Sequence, residues 1–384
     1  MSNEPGWRSV LLALLTAGLL VGDAAGSAPR QAGSTGVRQI GELASHWHLR
    51  YAAAAGDITQ RIIPSTGNRA WLFTTDRRRP ATSLLRWNGT SWNPVGSLPK
   101  QLRKAGYLDV SASASGDVVL VINHVPGKWD SSTEHLWQFS GGRWTHHRPR
   151  YLSWTSDFAV VDQNHAWFAQ GGDPEGPPPA MVHRNGAAWR WETPPEATDL
   201  TAVAAAGPDD VWVVDHRGRP RTLHWDGRQW KDVPLPCAPA LARRDCHERP
   251  LLSHLSSLAV RSKNDVWAVG SDWTGGARSV VLHWNGTAWS QVKINVSRTR
   301  LGTVRTDPVG GVWIAANPAE GTPYVLNLRN GRWSRSALPR GESSTRILDI
   351  APAPGTARLW VHARHGNGPG ETSLIYELQT AAQP

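Results

Sequence analysis

The sequence predicts an all-β chain, a seven-bladed β-propeller of four-stranded antiparallel blades. Three observations carry this. First, a β-rich run recurs seven times at spacings of roughly 45 to 55 residues: AWLF at Ala70, VVLV at Val118, AWFA at Ala166, VWVV at Val211, VWAV at Val266, VWIA at Val312 and LWVH at Leu359. Second, each of the first six runs is followed by a tight-turn signature closing on a tryptophan, at Trp92, Trp144, Trp189, Trp230, Trp289 and Trp333. Asn285-Gly286 is the clearest of these, because Asn-Gly accepts the positive φ angles of a two-residue hairpin. Third, a further short apolar run precedes most of the seven, as in Phe158 to Val161, Thr201 to Ala204 and Leu255 to Val260. Four strands per unit follow, the period of a propeller blade.

The physical reason is coverage. A lone four-stranded blade has two apolar faces, and only neighbouring blades can cover both, so the ring must close. Helical repeats of this period would need apolar residues three and four apart, which Asn-Gly turns between β-branched runs do not supply.

In chain order, Arg8 precedes an apolar run from Val10 to Val21, and Gly26, Ser27 and Ala28 offer small residues for cleavage. A secretory signal over residues 1–28 is expected, with an uncleaved anchor as the alternative; the run is short for a bilayer span. Residues 29–44 are expected to be a flexible lead-in, and residues 45–384 the propeller. The last unit has RILDI, RLWVH and SLIYEL but no fourth strand carrying a tryptophan. A spare strand, Ser45 to Tyr51, stands ahead of the first blade. It is expected to complete the seventh blade and so pin the two ends of the domain together.

The only cysteines, Cys237 and Cys246, sit close together in a polar loop. In an exported chain such a pair is expected to form a disulfide closing that loop; a free thiol pair or metal site is the alternative, and no Cys-x-x-Cys spacing favours it. The formal charge is +10, and removal of residues 1–28 raises it by one. Acidic partners are favoured by that balance: anionic glycans, cell-wall polymers, membrane surfaces, and less readily nucleic acid; an anionic polysaccharide or a protein is the expected partner. A monomer is expected, and no sequence motif calls for a cofactor.

The DVW-A-V-G run followed by LHW-N-G-x-x-W, at Asp265 to Trp289, resembles the Trp-rich propeller repeats of many secreted bacterial proteins. It is loosely similar to kelch and galactose-oxidase-type propellers, whose diglycine Gly171-Gly172 matches. The resemblance implies the fold across residues 45–380 and leaves the activity open, because propellers host many. A galactose-oxidase copper site would need a cysteine cross-linked to tyrosine, and both cysteines here share one loop. Sialidase-type Asp boxes are missing too: Gly286 to Trp289 keeps the turn, but Trp284 stands where the aspartate belongs.

His183, His224 and His283 recur at one place in three blades, and a structural role between blades is expected for them rather than metal binding. What does not recur points to function. The loops from second to third strand and from blade to blade share one face and are long; the turns on the other face are short. The candidate ligand-binding residues are Asp76, Arg77, Arg78, Arg79, Trp129, Asp215, His216, Arg217, Asp272 and Trp273. Arginine forks grip carboxylate, sulfate or phosphate, and exposed tryptophan stacks on sugar rings. The competing reading is solvated charge, and turn capping for the aspartates. No nucleophile–base motif, phosphate loop or zinc-protease motif is present. The expected function is a secreted, non-catalytic binding or adhesion module, with a carbohydrate-active lyase or hydrolase as the alternative.

Overall fold

The computed structural model describes residues 39–384 apart from 55–56, 77–80, 97, 106–107, 125–133, 150–151, 153–154, 173–177, 217–219, 237–251, 273–277, 340–343 and 381–384. Seven sheets are arranged as the sequence predicts. Blade one spans residues 57–94, blade two 108–147, blade three 155–192, blade four 200–233, blade five 254–292, blade six 299–337 and blade seven 345–380. Each is an antiparallel meander.

Closure occurs where expected. Ser45–Ala52 pairs antiparallel with Thr372–Thr380 and becomes the outer strand of blade seven. Its side chains feed both neighbouring seams: Trp47 packs toward blade six, and Tyr51 toward blade one. Arg50 and Arg358 converge on Glu377, at 2.7 and 3.1 Å, and that carboxylate is 1 % exposed. The Trp92 indole of blade one donates to the Arg50 carbonyl at 2.9 Å. The end of the expected flexible lead-in is ordered: Ile40–Glu42 lies parallel against Arg332–Ala337, a fifth strand on the outer edge of blade six.

Seven apolar clusters fill the seams, one between each pair of neighbouring blades. The second-strand tryptophans Trp167, Trp212, Trp313 and Trp360 are at most 2 % exposed within them. Blade two departs from the frame marked at Val118. Its register places Leu120 where other blades have tryptophan, so its repeat runs one residue later. Close approach also fixes single residues. A Cβ at Gly270 would strike the His254 carbonyl and the Leu255 backbone, and Gly286, at φ +97°, turns the blade-five hairpin.

The histidines that recur are structural within a blade. Each stacks on its own blade's tryptophan: His183 on Trp167 at 3.9 Å, His224 on Trp212 at 4.4 Å, His283 on Trp267 at 4.3 Å. His224 and His283 also bond Asp210 and Asp265, at 2.8 and 3.1 Å. Burial pushes His183 down to about 4, so it stays neutral at physiological pH.

Candidate functional site

The first strands of all seven blades line a central cavity of about 1070 Å³. Six of those strands carry a β-bulge at the same level, at Thr59/Arg61, Thr155/Asp157, Leu200/Ala202, Leu255/Ser257, Leu301/Val304 and Ile347/Asp349. A bulge re-aims the side chain beside it and frees a backbone N–H. The preceding blade caps backbone N–H groups beside these bulges: Val203 N donates to Asp157 Oδ2 at 2.9 Å, and Val304 N to Ser257 Oγ at 3.2 Å.

At this level the charged residues Arg61, Asp157 and Asp349 line the channel, and Arg305 joins them from blade six. Arg61 Nε and Arg305 Nη2 approach the two oxygens of Asp349 at 3.3 and 3.2 Å. Arg305 Nη1 donates to the Val304 carbonyl at 2.9 Å. Burial would raise the Asp349 carboxyl, but the two guanidiniums outweigh it and hold the group below the usual range. Burial wins at Asp157, which is pushed up despite its two backbone N–H donors. Two carboxyls in one channel are thus driven apart.

Behind Asp349 is its cross-strand partner His362, 3 % exposed. Its Nε2 has no protein hydrogen-bond partner. Burial lowers it to about 4 although Asp349 opposes the shift. The equivalent second-strand residues in the other six blades are Phe73, Ile122, Ala169, Val214, Val269 and Ala315, all apolar and at most 1 % exposed.

The candidates from the sequence divide into two sets. Arg77, Arg78, Arg79, Trp129, Arg217 and Trp273 lie outside the described residues, as do Cys237 and Cys246. Asp76 and Asp272 end the second strands of blades one and five, on the loop face, far around the ring from one another. Asp215 is 2 % exposed and occupied internally: it accepts from Thr198 N, Thr198 Oγ1 and Asp199 N, and pairs with Arg221 at 3.0 Å. His216, next to it, packs edge-on against His254 at 4.6 Å, with Nε2 buried and lacking a protein partner. His254 in turn meets Ser256 Oγ at 3.3 Å, and burial, then His216 and Arg300, lower its pKa from the ordinary histidine value. None of the described candidates lines the central channel, while the Arg61, Asp157, Arg305, Asp349 and His362 constellation was missed. Its one sequence signal is LWVH, where the other tryptophan-bearing runs end in an apolar residue. Among the described residues no group of three or more metal-ligating side chains converges.

No family model matches the chain, and no curated protein does. Solved structures match in fold. YCF48 bound to D1 peptide is 13 % identical with a TM-score of 0.55, covering 89 % of this chain and 100 % of that one. The WD40 propeller domain of Doa1 is 8 % identical with a TM-score of 0.54, covering 86 % and 96 %. The extracellular domain of a putative one-component system, BT4673 from B. thetaiotaomicron, is 9 % identical with a TM-score of 0.54, covering 86 % of this chain and 40 % of that one. At such identities the likeness establishes the propeller and nothing finer. Among the described residues no helix is long and apolar enough to cross a membrane.

Proposed function

We propose that this chain is a secreted, non-catalytic binding module that recognises an anionic glycan or cell-wall polymer at its loop-bearing face and channel mouth. The observation that carries the reading is the convergence of Arg61 and Arg305, from blades one and six, on a single carboxylate inside an open channel. The net charge of +10 and the loop arginines Arg77, Arg78, Arg79 and Arg217 support it. A protein ligand is the close variant. YCF48 was solved bound to a D1 peptide, and the BT4673 structure is that of an extracellular domain.

The test is binding of the purified chain to immobilised acidic and neutral polysaccharides across a salt series. Saturable retention on acidic polymers, weakening steeply with salt, is expected. Charge reversal of Arg77, Arg78 and Arg79 to Glu should reduce it. Absence of saturable binding to every acidic polymer overturns the reading. A lyase or hydrolase is the second reading, favoured by the divergent environments of Asp157 and Asp349, the pattern of an acid and a base. Time-dependent release of product from a bound polymer would select it.

A further inference from the structure

At the level of the bulges, the channel wall is built from first strands everywhere except between blades seven and one. There the second-strand residues His362 and Arg364 also line the cavity. The lumen thus reaches sideways into one seam, at the place where a histidine replaces an apolar core residue. Thr59, on the opposing side of that seam, is 3 % exposed, and its Oγ1 has no partner. Its backbone N–H is held by Ser373 Oγ of blade seven at 3.2 Å, which anchors the main chain at this point. Asp349 Oδ2 lies 3.3 Å from Arg61 Nε but makes no hydrogen bond of good geometry. Two buried polar atoms on two strands, His362 Nε2 and Thr59 Oγ1, therefore lack partners beside this part of the channel, and Asp349 Oδ2 is held there by its ion pair alone. Buried polar groups in native proteins are nearly always satisfied, and a group of exceptions marks a place where something else binds.

We infer that this side pocket is a ligand subsite for a compact, hydroxylated carboxylic acid of the uronic-acid type, whose carboxylate meets Arg61 and Arg305 while a neighbouring hydroxyl meets Asp349 Oδ2 and His362 Nε2. The inference rests on the binding-module reading and names the part of the acidic polymer that enters the channel.

Charge selects an acid. Arg364 is matched by Glu371 at 3.4 Å. Arg61 and Arg305 then face Asp349 and Asp157, and Asp157 already accepts two backbone N–H groups at 2.9 Å, from Phe158 and Val203. Arg61 and Arg305 thus share one carboxylate, Asp349, and a second carboxylate would complete the set. Wall chemistry selects a hydroxylated ligand: Gln60, Ser111, Ser156, Ser257 and Thr303 line the same cavity. An aspartate oxygen beside arginine and a neutral histidine offers both acceptor and donor to a vicinal hydroxyl. The central channel as a whole, about 1070 Å³, is large enough for a pyranose ring.

The experiment is isothermal titration of the full chain with glucuronate, glucose and inorganic phosphate, on wild type, Arg61→Gln and His362→Val. The valine variant restores the residue type of the other blades, so it keeps the fold if the arginine variant does not. Saturable glucuronate binding, at least tenfold weaker for glucose and for phosphate, and at least tenfold weaker in each folded variant, supports the subsite. Glucose binding as tight as glucuronate, phosphate binding as tight, or glucuronate affinity unchanged in His362→Val overturns it. Failure of the wild type to bind glucuronate overturns it also. If acidic polymers are still retained in that case, the subsite falls alone and the module stands. If they are not, both fall.

Discussion

Six seams of the ring and the seventh solve the same packing problem with different chemistry. Between blades three and four, Trp167, Ala169, Met181 and Val213 form an apolar seal that reaches the channel wall. Between blades four and five, Trp212, Val214, Leu258 and Leu282 do the same. Between blades seven and one, Trp360, Trp87 and Trp92 meet with centroids 5.4 to 5.9 Å apart, and Ile62 and Ala353 extend the apolar seal inward. At the level of the bulges this seam also holds the polar His362 and Thr59. This seam also holds the two ends of the propeller, since blade seven takes its outer strand from the start of the chain. A seam that must be closed by a strand distant in sequence is thus the one whose second strand places a buried histidine where the other blades have an apolar residue. Repeat architecture makes such a departure informative, because six internal controls show what packing alone would place there.

The comparison breaks most severely if the closing strand is removed. Deleting residues 45–51 strips Trp47 and Tyr51 from two seams and leaves Glu377, 1 % exposed, with Arg358 as its one remaining arginine. Lost apolar burial and a weakened buried ion pair together should cost on the order of 5 kcal/mol or more. Removing Ile40–Glu42, an exposed parallel addition to an edge, should cost about 1 kcal/mol or less. Differential scanning calorimetry of the two deletions checks the contrast, and equal melting temperatures would refute the closure as a source of stability.

A smaller effect isolates His362 through pH. Its folded-state value of about 4 lies below the 6.5 of an unperturbed histidine, because burial disfavours the imidazolium. In the window between these values the unfolded chain takes up the proton more readily than the folded one. Stability is therefore full above pH 6.5 and falls as pH drops toward 4, by about 3 kcal/mol from this residue. Asp349 faces it and opposes the shift, while Arg364 and Arg61 reinforce it. His147 and His183, also near 4, contribute in the same sense, so His362→Val should flatten the slope without abolishing it. At pH 7 the valine should be neutral or stabilising by about 1 kcal/mol, since it removes an unpaired buried nitrogen. Urea melts at pH 7 and pH 5 decide this; parallel slopes for variant and wild type would remove His362 as the source.

How much of this was legible follows from the same contrast. The blades were readable because each local signal agreed with the others: the Asn-Gly turn, the β-branched run and the tryptophan spacing all fall on one period. Strand Ser45–Ala52 was readable because the seventh unit visibly lacked a strand. The channel constellation was not, for a physical reason. Arg61, Asp157 and Asp349 stand beside bulges, and a bulge inserts a residue that shifts the alternation by which inward-facing positions are counted. Arg305 lies further along its strand than the others, so no common spacing links the four. His362 was on view as the last letter of LWVH, but the blade-two frame, set at Val118 rather than one residue later, blurred the column in which it stands out.

The mildest change tests whether the repeated Trp–His–Asp units really are scaffold. In blade five, Asp265 accepts from the Trp267 indole at 2.7 Å and from His283 Nε2 at 3.1 Å, and pairs with Arg261 at 2.9 Å. Burial would raise its carboxyl, yet these donors hold it below the ordinary range. Asp265→Asn keeps an acceptor oxygen for the indole but removes the charge that Arg261 and His283 exploit. A partly exposed pair of this kind contributes little, so the loss should be about 1 kcal/mol, with ligand binding unchanged because Asp265 lies at the short-turn end of its blade. Thermal melts and the glucuronate titration run side by side separate the two roles. A variant that melts like wild type but loses ligand would move function out of the channel's blade seven–one pocket and onto the opposite face of the ring.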